Sequence, residues 1–272
     1  MTDSTLHLLD LPDEILLIIM SNISNFDVLY SLIGVNKKLD RVACDIVHTR
    51  SIDFIGTRSN DEIHSLSDKI LDRFCQNILP RVHNNIECFT LESSSISRIF
   101  HSIDYPKLFK LILPELDLEF VSHYFNGKYC NFDVKPNSQI ESFFLEQMPF
   151  IRIFNEQILH LVVTVMDKSE NASLSDVTIN LYIRIFNLFT SVTHLDFVIK
   201  NDFRHPPFSL DDLPSTACFS SNIVHLSIRV LGLEDCLCLL DGRLSQLHTF
   251  IVEIYYITPL MDGRLDDTVK IA

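Results

Sequence analysis

Apolar positions in the first fifty residues recur at helical spacing in three short bursts. Leu11-Pro12-Asp13-Glu14 reads as a helix entrance, with a preset proline φ and two carboxylates at the positive dipole end. Ile15, Leu16, Ile18 and Ile19 follow as its apolar positions. A second helix starts at Asn25, read as the N-cap, with Asp27 in the first turn and Val28, Leu29 and Leu32 on one face. Gly34-Val35 punctuates it. A third helix is predicted from about Asn36 to about Cys44, with Leu39 and Val42 inward and Lys37, Lys38, Asp40 and Arg41 outward. So small a unit has too little interior for this aliphatic surface, so it must dock on the rest of the chain or on another protein.

Beyond Ser51 the pattern changes to a repeating template: apolar, two spacers, apolar, one spacer, apolar. It fits Ile86/Phe89/Leu91, Leu108/Leu111/Leu113, Ile140/Phe143/Leu145, Ile158/Leu161/Val163, Val192/Leu195/Phe197, Ile223/Leu226/Ile228 and Leu247/Phe250/Val252. First positions are 22, 32, 18, 34, 31 and 24 residues apart. Stretches with helical spacing lie between copies, such as Ile96–Ile103, Leu118–Phe125, Val177–Phe189 and Leu233–Leu240. The expectation is an α/β fold, a curved parallel sheet of short strands backed by helices, in which stacked neighbours supply the core. The competing reading is an ordinary α/β domain whose strands match the template by chance.

Composition narrows the function. With 22 Lys+Arg against 36 Asp+Glu the net charge is −14, which opposes a generic phosphate-backbone binder and predicts no nucleic-acid partner. The six glycines are scattered singly, so neither a P-loop nor a dinucleotide loop can be written, and no cofactor is expected. Seven cysteines without a C-x-x-C pair favour a reducing compartment, cytoplasmic or nuclear. The start lacks the basic region of a signal peptide, and no apolar run reaches the ~18 residues of a membrane span.

Leu11-Pro12-Asp13-Glu14-Ile15-Leu16, Ile19, Phe26-Asp27-Val28-Leu29-Tyr30-Ser31-Leu32 and Val35-Asn36-Lys37-Lys38-Leu39-Asp40-Arg41-Val42-Ala43 together resemble an F-box in order and spacing. The resemblance implies that these helices pack on a Skp-type adaptor of a cullin-RING ubiquitin ligase. It implies an adaptor-facing ridge of Leu11, Pro12, Ile15, Leu16 and Ile19, with Leu29, Leu32 and Val35 alongside, some of which must instead hold the helices together. The closing helix departs from the family in lacking its usual Cys-Arg and Trp. The template downstream is similar to the L-x-x-L-x-L core of leucine-rich repeats, in degenerate form. An F-box followed by such repeats is a familiar order among substrate receptors. The expected division is therefore an F-box at 5–50, a linker and N-terminal cap helix at 51–84, a leucine-rich-repeat-like solenoid at 85–257 and a tail at 258–272.

On a strand the third and fifth template positions point away from the core. Three consecutive copies of those written above place histidine at the third: His160, His194 and His225. Such a ladder is read as solvated histidines rather than a metal site, since no Cys or carboxylate is placed to complete one. Fifth positions add Phe144, Val162 and Asp196 to a candidate target-binding surface, and Ile112, Phe144 and Val162 to an apolar stripe. Cys236 and Cys238 are expected on different faces of one helix. The sequence contains no G-x-S-x-G elbow, H-E-x-x-H helix or paired-carboxylate signature, and a ligase receptor needs none, because it works by proximity. The alternative is a repeat scaffold without a ligase role. The target stays unidentified, and so does the completeness of the last repeat.

Overall fold

A computed structural model describes residues 7–57, 63–64, 66–101, 103–117, 153, 155–167, 185–186, 189–201, 210 and 220–255. The fold is α/β, an open seven-stranded parallel sheet backed by helices. The chain divides into two compact units, Met1–Lys110 and Leu111–Ala272.

In the first unit, α1 (Asp13–Met20), α2 (Asn25–Leu32) and α3 (Lys37–Ala43) take the places expected from their spacing. The caps shift by one residue. Pro12 precedes α1 as its N-cap, and Ser24 rather than Asn25 caps α2 by accepting the Asp27 N–H at 3.1 Å. Asn36 caps α3 by accepting from the N–H groups of Lys38 and Leu39. Gly34 has a φ of +88°, so it ends α2 in a conformation that a side chain would strain. The charged side of α3 is tied down rather than free. Lys38 Nζ donates to the carbonyls of Leu9 and Leu11, and Arg41 Nε donates to Asp13 at 2.7 Å.

A short helix α4 (Ile46–Thr49) leads into strand β1 (Ser51–Phe54). Two short antiparallel strands, β2 (Gly56–Thr57) and β3 (Ile63–His64), come next. Helix α5 (Asp68–Arg73) continues through a π-turn at Phe74–Ile78 into α6 (Leu79–Val82), then come β4 (Cys88–Leu91) and α7 (Ser93–Phe100). The stretch 51–84, expected as a linker and cap helix, thus opens with a strand of the main sheet. β1 pairs parallel with β4, setting Ile52 beside Phe89 and Phe54 beside Leu91. The N-terminal helices dock here through aromatic rings. Phe26 of α2 stacks on Phe74 at 4.4 Å, Phe74 meets Phe54 edge-on at 4.9 Å, and Phe89 meets Tyr105 edge-on at 5.0 Å. Arg73 lies 4.5 Å over the Tyr30 ring and donates to the Ile33 carbonyl.

The second unit carries β5 (Lys110–Asp117), β6 (His160–Asp167), β7 (His194–Asn201), β8 (His225–Val230), α8 (Leu233–Leu239) and β9 (Thr249–Ile254). Template positions stand side by side: Leu161, Leu195, Leu226 and Phe250 form one row, and Val163, Phe197, Ile228 and Val252 the next. Strands β5 to β7 run eight residues each, longer than the short strands expected. In β6 the alternation carries on to Val165, which is fully buried.

Of the seven predicted copies, five have all three apolar positions buried. The copy at Leu247/Phe250/Val252 is only half-buried, because β9 ends the strand order. The copy at Ile140/Phe143/Leu145 lies outside the described residues. The entrances of β7, β8 and β9 share one device. The carbonyl at the second template position accepts the N–H groups of the second and third positions of the next strand: Leu159 from Thr193 and His194, Thr193 from Val224 and His225, and Val224 from His248 and Thr249. Among the predicted spacer helices, α8 forms where expected and α7 runs three residues ahead of the expected Ile96–Ile103, with Cys236 buried and Cys238 half-buried. The spacer Leu118–Phe125 lies outside the described residues.

Candidate functional site

Helix α1 carries the first candidate surface. Its sequence runs through six consecutive apolar residues, Ile15 to Met20, so the fold must bury some and leave others out. Leu16 and Met20, one turn apart, face the interior at 0% and 6% exposure. Ile15, Ile18 and Ile19, related by three- and four-residue steps, stay exposed at 42%, 63% and 39%. Leu8, Leu9 and Ile23 are exposed as well.

This corrects the expected ridge. Leu16 and Leu29, both fully buried, pack the helices together and present nothing outward. Ile15, Ile19, Pro12 and Val35 are exposed, while Leu11 and Leu32 are half-buried. Ile18 is the most exposed residue of the stripe and was absent from the expected set. The sequence holds no signal for it, since no polar residue between Ile15 and Met20 marks which side meets water.

The second surface is the outer face of β6 to β9. His160, His194, His225 and Thr249 stand in register on four neighbouring strands. The His160 and His194 ring centroids are 4.2 Å apart at an interplanar angle of 31°, and those of His194 and His225 are 5.6 Å apart at 18°. The rings therefore lie over one another instead of converging their nitrogens on a point. Among the described residues no group of three or more His, Cys, Asp or Glu side chains is placed to hold a metal ion.

Asp196 lies one pleat further along β7, in register with Val162 and Ser227. Its Oδ1 is 3.4 Å from His225 Nε2. The Thr193 hydroxyl lies 2.9 Å from His194 Nδ1. Further along, Arg229 pairs with Glu253 at 2.6 Å, an ion pair the template does not reveal because it depends on which strands are neighbours. Of the expected target-facing residues, His160, Val162, His194, Asp196 and His225 thus share one face, and Phe144 lies outside the described residues.

No protein-family model matches the chain, and no curated protein matches it either. Among the described residues, no helix is long and apolar enough to cross a membrane.

Proposed function

We propose that the chain is the substrate-recognition subunit of an SCF-type cullin-RING ubiquitin ligase. In this reading the N-terminal helices are an F-box that binds a Skp-type adaptor, and the leucine-rich-repeat-like strands bind a target protein. One observation carries it: α2 already docks on the chain's own aromatic core through Phe26, yet α1 keeps the stripe Ile15, Ile18 and Ile19 exposed. A helix that had only to cap the following residues would have no use for three exposed isoleucines on one side. The equal register of template positions and the repeated carbonyl device support the repeat reading of the strands. The chain contributes proximity and no chemistry of its own, since holding the target near the transfer machinery raises its effective concentration there.

The test is co-purification of the intact chain with a Skp-type adaptor, compared with the double variant Ile15→Asp/Ile18→Asp. A complex that forms with the wild-type chain and is lost in a variant of unchanged thermal stability is the expected result. A folded wild-type chain that captures no adaptor overturns the reading and leaves the repeat scaffold without a ligase role.

A further inference from the structure

We propose that the outer face of β6 to β9 binds an arginine-bearing, basic segment of a partner protein. The inference deepens the receptor reading, on which it rests for taking that partner to be the target. Imidazole rings lying over one another, with centroids 4.2 and 5.6 Å apart, form a ring surface. Asp196 stands beside it, 43% exposed. A guanidinium fits this pair of features, because it is planar enough to lie on rings and forks onto a carboxylate. An ammonium ion does neither well. Val162 and Val198 on the same face, with Ile251 half exposed on β9, flank the carboxylate with apolar surface for an arginine stem.

Charge complementarity favours the same partner. The carboxylates and guanidinium described on this face are Asp196, Glu253 and Arg229, one positive charge to two negative, with Arg229 paired to Glu253. The whole chain carries −14.

The experiment titrates fluorescent tetra-arginine, tetra-lysine and tetra-glutamate peptides onto the intact chain at pH 7.5 and fixed ionic strength. Tetra-arginine is expected to bind tightest of the three, by roughly three- to ten-fold over tetra-lysine. Asp196→Asn should cost roughly three- to ten-fold, while Glu234→Gln, at an exposed position of α8, costs nothing. The triple variant His160→Gln/His194→Gln/His225→Gln should lose the preference for tetra-arginine over tetra-lysine. If it fails to fold, peptide-induced shifts of the wild-type imidazole NMR signals give the same readout. Equal losses in Asp196→Asn and Glu234→Gln, tighter binding of tetra-glutamate, or imidazole signals that ignore the peptide would each overturn the proposal. Adaptor capture does not involve Asp196. A chain that binds tetra-arginine through Asp196 but no adaptor would overturn the receptor reading and leave this surface standing, and the reverse result would do the opposite.

Discussion

Asn25 Oδ1 lies 3.3 Å from Nδ1 of His48, and the same amide donates from Nδ2 to the Ser51 carbonyl at 2.9 Å. Because the amide nitrogen is already a donor to Ser51, its oxygen is the acceptor, and His48 Nδ1 carries the hydrogen. His48 is fully buried, and its Nε2 has no hydrogen-bond partner among the described residues. Burial holds its pKa below the ordinary histidine value, against a smaller opposite pull from the Asp45 carboxylate.

The sign of the resulting pH effect follows. A histidine with a lowered native pKa binds fewer protons folded than unfolded, so its full stability is present above the unfolded value of roughly 6.5. That contribution is lost as pH falls from there towards the native pKa, at no more than about 1.4 kcal/mol per pH unit for one proton. Urea unfolding of the first unit, followed at pH 7.5 and 5.5, should show lower stability at the acid end. His48→Gln keeps a donor for Asn25 and should remove this part of the slope. An unchanged slope in that variant would rule His48 out as its source.

Four thiols should react slowly in the native chain. Burial raises the pKa of Cys44, Cys75, Cys88 and Cys236, and at Cys44 the Asp40 carboxylate adds to it while Arg81 opposes. Less thiolate at pH 7.5 means slower attack. Alkylation by iodoacetamide, mapped by peptide mass spectrometry, should be slower at these sites in the native chain than in urea. Equal rates at Cys236 in the two conditions would contradict the buried placement.

The strands of the second unit were legible because their signal repeats: an apolar pair one residue apart, preceded three residues earlier by another apolar residue. Parallel pairing keeps equal template positions side by side, so a chance match in one strand would have spoiled the rows through Leu195 and Phe197. β1 escaped notice for one side chain. Ile52 and Phe54 fit the last two positions, but the first is Thr49, a polar residue that is nonetheless fully buried. Its hydroxyl donates to the Asp45 carbonyl at 3.0 Å, which is why burial there is tolerated. The outer face was legible as a row of histidines but not as a stack, since ring spacing depends on side-chain rotamers that a sequence pattern does not carry.

Thr49 therefore tests the repeat equivalence. The Asp45 carbonyl also accepts the N–H groups of His48 and Thr49, both at 3.1 Å, so losing the hydroxyl leaves no acceptor bare. Thr49→Val should cost less than about 1 kcal/mol, because the removed hydrogen bond is offset by an apolar group of the same shape. Thr49→Asp should prevent folding, since it buries a charge without a partner. Urea denaturation reads the first variant and soluble yield the second. A loss of several kcal/mol in Thr49→Val would mean that the hydroxyl holds the α4 to β1 corner in a way the other strand entrances do not share.

The two sides of α1 should separate stability from partner binding. Leu16 is fully buried while Ile18, two residues on, is 63% exposed, although a pattern of unbroken apolar residues does not distinguish them. Leu16→Ala should destabilise by roughly 2–5 kcal/mol, the cost of lost burial plus the cavity left behind. Ile18→Ala should stay within about 0.5 kcal/mol of wild type, because its side chain is largely in water already. If α1 is the adaptor-binding element, the second substitution should still weaken capture of a Skp-type adaptor, since residues that desolvate fully at an interface carry much of its free energy. Denaturation midpoints and adaptor pull-down on the same two variants give the four numbers needed. An Ile18→Ala variant that lost stability as Leu16→Ala does would return the isoleucine stripe to the interior, and with it the argument for a partner.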